Sequence, residues 1–275
     1  MTAFIEHPIY GFRQLSPVPE VGRYYEESYY STDNPHAPGE RRILAGGRLA
    51  VAERDWLEKT LYADIAAVLD SFMPPASILD VGCGFGYFPD YMSTLGWTAW
   101  GVEPARLSRG DTKPIRFSVF HTLDDFLAEQ TKAPDVISLL NVLEHVPHPV
   151  AFLEKLVAIL SLGGLLVVRV PNDFSELQAA ASPLLRGQAT PEWWVASPDH
   201  ISYFNFESLA KFLWGLGLGV VERMGDFPME LFLLMGENYI QHPDIGEVCH
   251  RKRQAFELSL PGPVRRKFYR ALAEA

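Results

Sequence analysis

Apolar positions along the chain change period several times, and each change marks an element. From Arg48 to Phe72 the apolar residues Leu49, Trp56, Leu57, Leu61, Ile65, Val68 and Leu69 recur close to every 3.6 residues, which predicts a helix closed by Pro74 and Pro75. Short apolar runs then alternate with amphipathic ones. SILDVG, TAWGVEP, IRFSVF (115–120), DVISLLNVL and LLVVRVPN predict five strands. DYMSTLGW, TLDDFLAEQ and PVAFLEKLVAILSLGG predict the helices between them, with Gly96 as a C-terminal cap and Thr122 as an N-cap. Strand–helix alternation over residues 77–172 implies parallel strands joined by right-handed crossovers, with a ligand site at their carboxyl ends.

The rhythm breaks at residues 173–204, where Pro183, Pro191 and Pro198 accompany Trp193 and Trp194; this reads as an insertion covering the sheet. FESLAKFLWGLG predicts another helix capped by Asn205, and LGVVERMGD and MELFLLMGE predict two closing strands. The organisation expected is an N-terminal extension and cap helix (1–72), an α/β domain (73–240) containing the 173–204 insertion, and a tail (241–275) that is helical after Pro263. The tyrosines of RYYEESYYS, Tyr29 among them, would fall on one face of a short helix able to reach over the site.

Composition narrows the partners. The formal net charge is -10, which argues against nucleic acid as the main partner, because phosphate contacts demand a basic face. The basic stretch Arg251–Arg253 and Arg265, Arg266, Lys267 and Arg270 reads first as a solvated helix face, second as a contact for an anion. Cys83 and Cys249 have no CxxC or metal-site spacing, which fits a reducing compartment. No apolar run reaches the length of a membrane span, and the first residues lack a secretory pattern, so a cytoplasmic protein is expected.

The chemistry concentrates in ILDVGCGFGYF. Gly82, Gly84 and Gly86 supply a GxGxG loop, but the position where a dinucleotide site places its last glycine holds Tyr87. Asp80, two residues before the loop, would repel a pyrophosphate and suits a cationic group. Glu103 ends the second strand, 17 residues after Gly86, where an acid accepts from both ribose hydroxyls. Together they describe a nucleoside with a cationic tail and no phosphate, a description S-adenosylmethionine meets.

In order and spacing, ILDVGCGFGYF, GVEP, DVISLLNVLEHVPHP and LSLGGLLVVRVPN resemble the class I S-adenosylmethionine-dependent methyltransferases, in the small-molecule branch with quinone and sugar methyltransferases. The resemblance covers roughly residues 75–235. It implies a Rossmann-like, doubly wound seven-stranded sheet with an antiparallel last strand. Asp80, Gly82 and Gly84 would line the methionine end of the cofactor, with Cys83 between them as a small residue that fits. Gly86 would allow the turn into the helix, and Glu103 would bind the ribose. Leu123 and Asp124 would flank the adenine, the choice between Asp124 and Asp125 staying open. Asn141 would support the methionyl part.

The reaction expected is methyl transfer to a small-molecule acceptor, O-methylation foremost, leaving S-adenosylhomocysteine. A hydroxyl acceptor needs a base, and His145 and His200 are the candidates. Trp193, Trp194, Asp199 and Tyr203 are candidate substrate contacts, the rival role being to fasten the lid. No convincing metal set is present. A non-catalytic regulator would share every cofactor residue. An NAD-dependent oxidoreductase would need the GxGxxG that is missing.

Overall fold

The computed structural model describes residues 3–20, 47–105, 115–185 and 192–274. They form two compact units, one of residues 18–170 and one of residues 1–17 with 171–275. Tyr29 lies outside the described residues.

The chain begins in the split unit with an antiparallel hairpin, β1 (Ala3–Glu6) and β2 (Arg13–Ser16). The continuous unit opens with α1 (Gly47–Lys59) and α2 (Leu61–Leu69). One helix is expected from the periodicity, but Thr60 divides it: its hydroxyl donates to the Trp56 carbonyl at 2.6 Å, and its backbone leaves the helical region. Five parallel strands follow, β3 (Ser77–Val81), β4 (Thr98–Val102), β5 (Ser118–Phe120), β6 (Val136–Leu140) and β7 (Leu165–Arg169). Their order is β5-β4-β3-β6-β7, so the winding reverses between β3 and β6. Three crossover helices accompany them: α3 (Tyr87–Thr94), α4 (Leu123–Glu129) and α5 (Pro149–Ile159). Every residue of β3 is buried, as expected of a central parallel strand. Ile78 and Val136 pack with Tyr62, Leu69, Phe88, Met92 and Trp97 in one cluster. Asp135 ties the starts of β3 and β6, accepting from both the backbone N–H and the hydroxyl of Ser77.

The split unit resumes with α6 (Glu176–Ala181), opened by a Ser175–Gln178 capping box. Next come β8 (Ser202–Tyr203), which pairs antiparallel with β2, and α7 (Phe206–Gly215), capped by Asn205. The last helices are α8 (Glu230–Leu234), α9 (Pro243–Ser259) and α10 (Gly262–Glu274).

The doubly wound parallel sheet matches expectation, but the two closing strands do not. MELFLLMGE is α8, not a strand: Met, Glu and Leu are straight-chain or γ-branched helix formers, and the run is too short for its period to decide. Residues 218–224 keep a strand-like alternation of exposure yet belong to no described strand. The sheet of five strands is therefore all parallel among the described residues, without an antiparallel last strand. The tail also begins its helix earlier than expected, at Pro243, where proline at N1 suits a helix start. Three of its basic residues are paired with acids. Arg253 reaches Asp226 and Glu257, Lys252 pairs with Glu237, and Arg270 forks onto Glu222. Arg265 is buried and donates to the Glu257 and Leu260 carbonyls.

Candidate functional site

Most of the residues singled out for the cofactor stand where β3, β4 and β6 end, while Leu123 and Asp124 follow β5. Gly82, Gly84 and Gly86 all have positive φ (73°, 52° and 70°), a path that only glycine follows without strain. At Gly82 a Cβ would also lie 2.5 Å from Cγ2 of Val142, so the loop presses against the segment leaving β6. Gly86 is the N-cap of α3. Cys83 has its thiol turned inward, where a Cβ on Gly101 would meet Sγ at 2.6 Å; it is a packing residue that requires a glycine opposite.

Glu103 fastens the loop from the end of β4. Its carboxylate accepts from the Gly84 N–H at 2.8 Å and the Ala105 N–H at 2.9 Å. Asp80 is almost fully enclosed (3% exposed) and accepts from the Ser138 hydroxyl at 2.7 Å. Burial, with some repulsion from Glu103, lifts its carboxyl to about 7, although the Ser138 hydrogen bond pulls the other way. Tyr62, from α2, faces Asp80 and is itself pushed up by burial and by that carboxylate.

Asn141 follows β6 in the left-handed region, φ 59°, which asparagine tolerates better than most side chains. Its amide is clamped on both sides. Arg169, from the end of β7, donates to Oδ1, and Nδ2 donates to Glu144 Oε1 at 3.0 Å. Glu144 is 1% exposed, pushed up by burial, and its Oε2 has no hydrogen-bond partner among the described residues. His145 Nε2 stands 4.0 Å from Glu144 Oε1 in a short 3-10 turn (Leu143–His145).

The pair after β5 separates. Asp125 closes the Thr122 capping box of α4, while Asp124 is exposed and reaches Lys155 at 2.6 Å. Leu123 is the first residue of α4.

The remaining candidates lie in the split unit. Tyr203 is buried, and its hydroxyl donates to the His200 carbonyl at 2.9 Å, fastening the return of the chain. Asp199 is 1% exposed. Trp193 and Trp194 stand edge to face at 4.9 Å, and Trp194 continues edge-on to Phe174. Trp193 packs on the Ala181, Leu185 and Leu233 cluster and bonds Tyr239.

Sequence reasoning passed over Ser138, Tyr62 and Arg169. Ser138 carried a usable signal, since a hydroxyl in a strand buried on both faces must find a partner. Tyr62 and Arg169 carried none, being ordinary residues of an amphipathic helix and a strand end.

The sequence model of the methyltransferase-domain family matches residues 54–223. Ubiquinone biosynthesis O-methyltransferase of Xanthomonas campestris pv. campestris is 32% identical over 107 residues, which is 36% of this chain and 45% of that protein. The Maricaulis maris protein of the same name is 33% identical over 111 residues, 38% and 44% of the two chains. This chain thus spans less than half the length of the curated relatives it matches. Among solved structures, magnesium protoporphyrin IX methyltransferase from Synechocystis PCC 6803, with bound SAH, superposes with a TM-score of 0.50 at 14% identity, over 76% of this chain and 92% of that one. That likeness shows a shared fold, and the match from Arg54 to Arg223 takes in the glycine loop, Glu103 and Asn141 together: the chain belongs to the methyltransferase-domain family.

Proposed function

We propose that this chain binds S-adenosylmethionine at the carboxyl edge of β3 and β4 and transfers its methyl group to a hydroxyl of a small-molecule acceptor. One observation carries the reading: a loop of three left-handed glycines lies between an enclosed Asp80 and an anchored Glu103. Two acids, with Tyr87 where a phosphate site needs glycine, suit an ammonium and a diol and oppose a pyrophosphate. The sulfonium of the cofactor supplies an already activated methyl group, so the protein's share is placement and proton removal. Gly82, Gly84 and Gly86 bring the backbone close, Asp80 faces the amino group, and Glu103 holds the ribose. Leu123 flanks the adenine, and Asn141, whose side-chain amide is held by Glu144 and Arg169, meets the methionyl part through its backbone carbonyl.

His145 is the base in this reading. It neighbours the clamped Asn141 and Glu144, and an imidazole is a competent general base for a hydroxyl. Trp193, Trp194, Asp199 and His200 remain the candidate acceptor contacts, and the acceptor class is phenolic or quinol-like, as the names of the ubiquinone O-methyltransferase relatives suggest. Calorimetry with S-adenosylmethionine and S-adenosylhomocysteine tests the cofactor, and labelled methyl transfer to a panel of catechols, quinols and sugars tests the acceptor. Binding is expected in the micromolar range with transfer to a phenol, lost in His145→Ala. No binding refutes the reading. Binding without transfer to any acceptor points to a regulator, and full turnover in His145→Ala removes the base.

A further inference from the structure

Asp80 sits in surroundings that do not suit an ion. It is enclosed between β4 and β6, and the Ser138 hydroxyl is its only hydrogen-bond donor among the described residues, at Oδ1. The titratable groups facing it are Glu103, at the end of β4, and Tyr62, from α2. Neither brings a positive charge. Arg169, at the end of β7, acts on Tyr62, Asn141 and Glu144, and is not among the groups that act on Asp80. A carboxyl so enclosed, with a second carboxylate nearby and one hydrogen bond, favours the protonated form. A ligand ammonium beside it would reverse that preference.

We propose that cofactor binding is proton-linked at Asp80: the free protein holds this residue as the carboxylic acid, the cofactor's ammonium group displaces the proton to solvent, and Ser138 is the positioning residue that sets the pH at which this occurs. The inference rests on the cofactor assignment above. The balance is simple. The neutral carboxyl and the ammonium become a carboxylate–ammonium pair, the O–H bond breaks, and the proton leaves to buffer. The transition belongs near pH 7, where burial has already placed the Asp80 carboxyl. Below that pH the proton must be removed before the pair forms, so affinity falls, approaching about tenfold per pH unit.

S-adenosylhomocysteine, which keeps the amino group, is the probe. Its binding to the full chain is measured by calorimetry from pH 5.5 to 8.5 in pairs of buffers that differ in ionisation enthalpy. Nearly one proton released per ligand is expected at about pH 6, falling towards none at pH 8. In Asp80→Asn the release and the acid-side fall in affinity disappear. In Ser138→Ala the carboxylate loses its one donor, and the transition moves to higher pH. An effect of Ser138 on folding alone would change the amplitude without moving that midpoint. Wild-type binding that is independent of pH from 5.5 to 7.5, or release that persists in Asp80→Asn, overturns the proposal and leaves the cofactor assignment standing. An unmoved midpoint in Ser138→Ala overturns the role of Ser138. No binding at any pH overturns the assignment and the proposal together.

Discussion

Replacing Asp80 by asparagine tests the energetics of the site without any ligand. The Asp80 carboxyl is held at about 7, against 3.8 for an ordinary aspartate, chiefly because β4, β6 and α2 exclude water from it. Each pH unit between those values is worth about 1.36 kcal/mol, so ionising the residue in the folded chain costs up to ~4 kcal/mol more than in the unfolded chain. The sign follows from the raised value. The protonated residue's contribution to stability is complete below about pH 4 and is lost as pH rises through 7. Asparagine does not titrate. It can still accept from the Ser138 hydroxyl, and it adds an N–H without an acceptor, costing about 1–3 kcal/mol at every pH. The stability of Asp80→Asn relative to wild type should therefore improve by roughly 2–3 kcal/mol between pH 5 and pH 8, whatever the constant offset. At 2–4 °C per kcal/mol for a domain of this size, the difference in Tm should move by about 5–10 °C across that range. Thermal unfolding of both proteins at pH 5, 6, 7 and 8, without cofactor, measures it. A Tm difference that stays constant would show that Asp80 is not an enclosed acid, and the reasoning about its surroundings would fail. The same substitution should weaken cofactor binding at pH 8, so the variant is steadier and less able.

Three other substitutions probe different supports. Gly82→Ala forces a left-handed alanine and a Cβ 2.5 Å from Val142 Cγ2; a loss of ~2–5 kcal/mol in urea unfolding is expected, with Val142→Ala restoring the steric part only. Glu103→Gln removes the charge from the bonds to Gly84 and Ala105, each worth ~1.5–3 kcal/mol; faster hydrogen exchange at those amides is expected, and unchanged exchange would deny Glu103 its role in holding the loop. Glu257→Ala strips the buried partner of Arg253 and Tyr269, joining α9 to α10, and should cost ~3–5 kcal/mol in unfolding of the split unit.

Much of the continuous unit was legible because local and global signals agree there. The Thr122–Asp125 box, the glycine at each turn and the uninterrupted apolar strands all say the same thing at short range. The parts that were missed depend on distant partners. β1 and β2 are four residues each, and the pairing of β2 with β8 joins positions almost two hundred residues apart. LFLL carries no period long enough to separate strand from helix, and became α8. In the candidate site, Gly82, Glu103 and Asn141 could be named from spacing. Their settings could not, because the clamp on Asn141 needs Arg169 from a different strand, and the enclosure of Asp80 needs Tyr62 from α2.

The two cysteines happen to fall one in each unit, and both are buried. Cys83 is wedged beneath the glycine loop against Gly101, and Cys249 is fully enclosed within α9 beside Glu237. An alkylating reagent can reach either sulfur only when its surroundings open. The unmodified chain thus carries a pair of built-in clocks. The labelling rate at Cys83 times the opening of the cofactor loop, and the rate at Cys249 times the opening of the split unit. A ligand that settles into the loop would slow the first clock and need not touch the second.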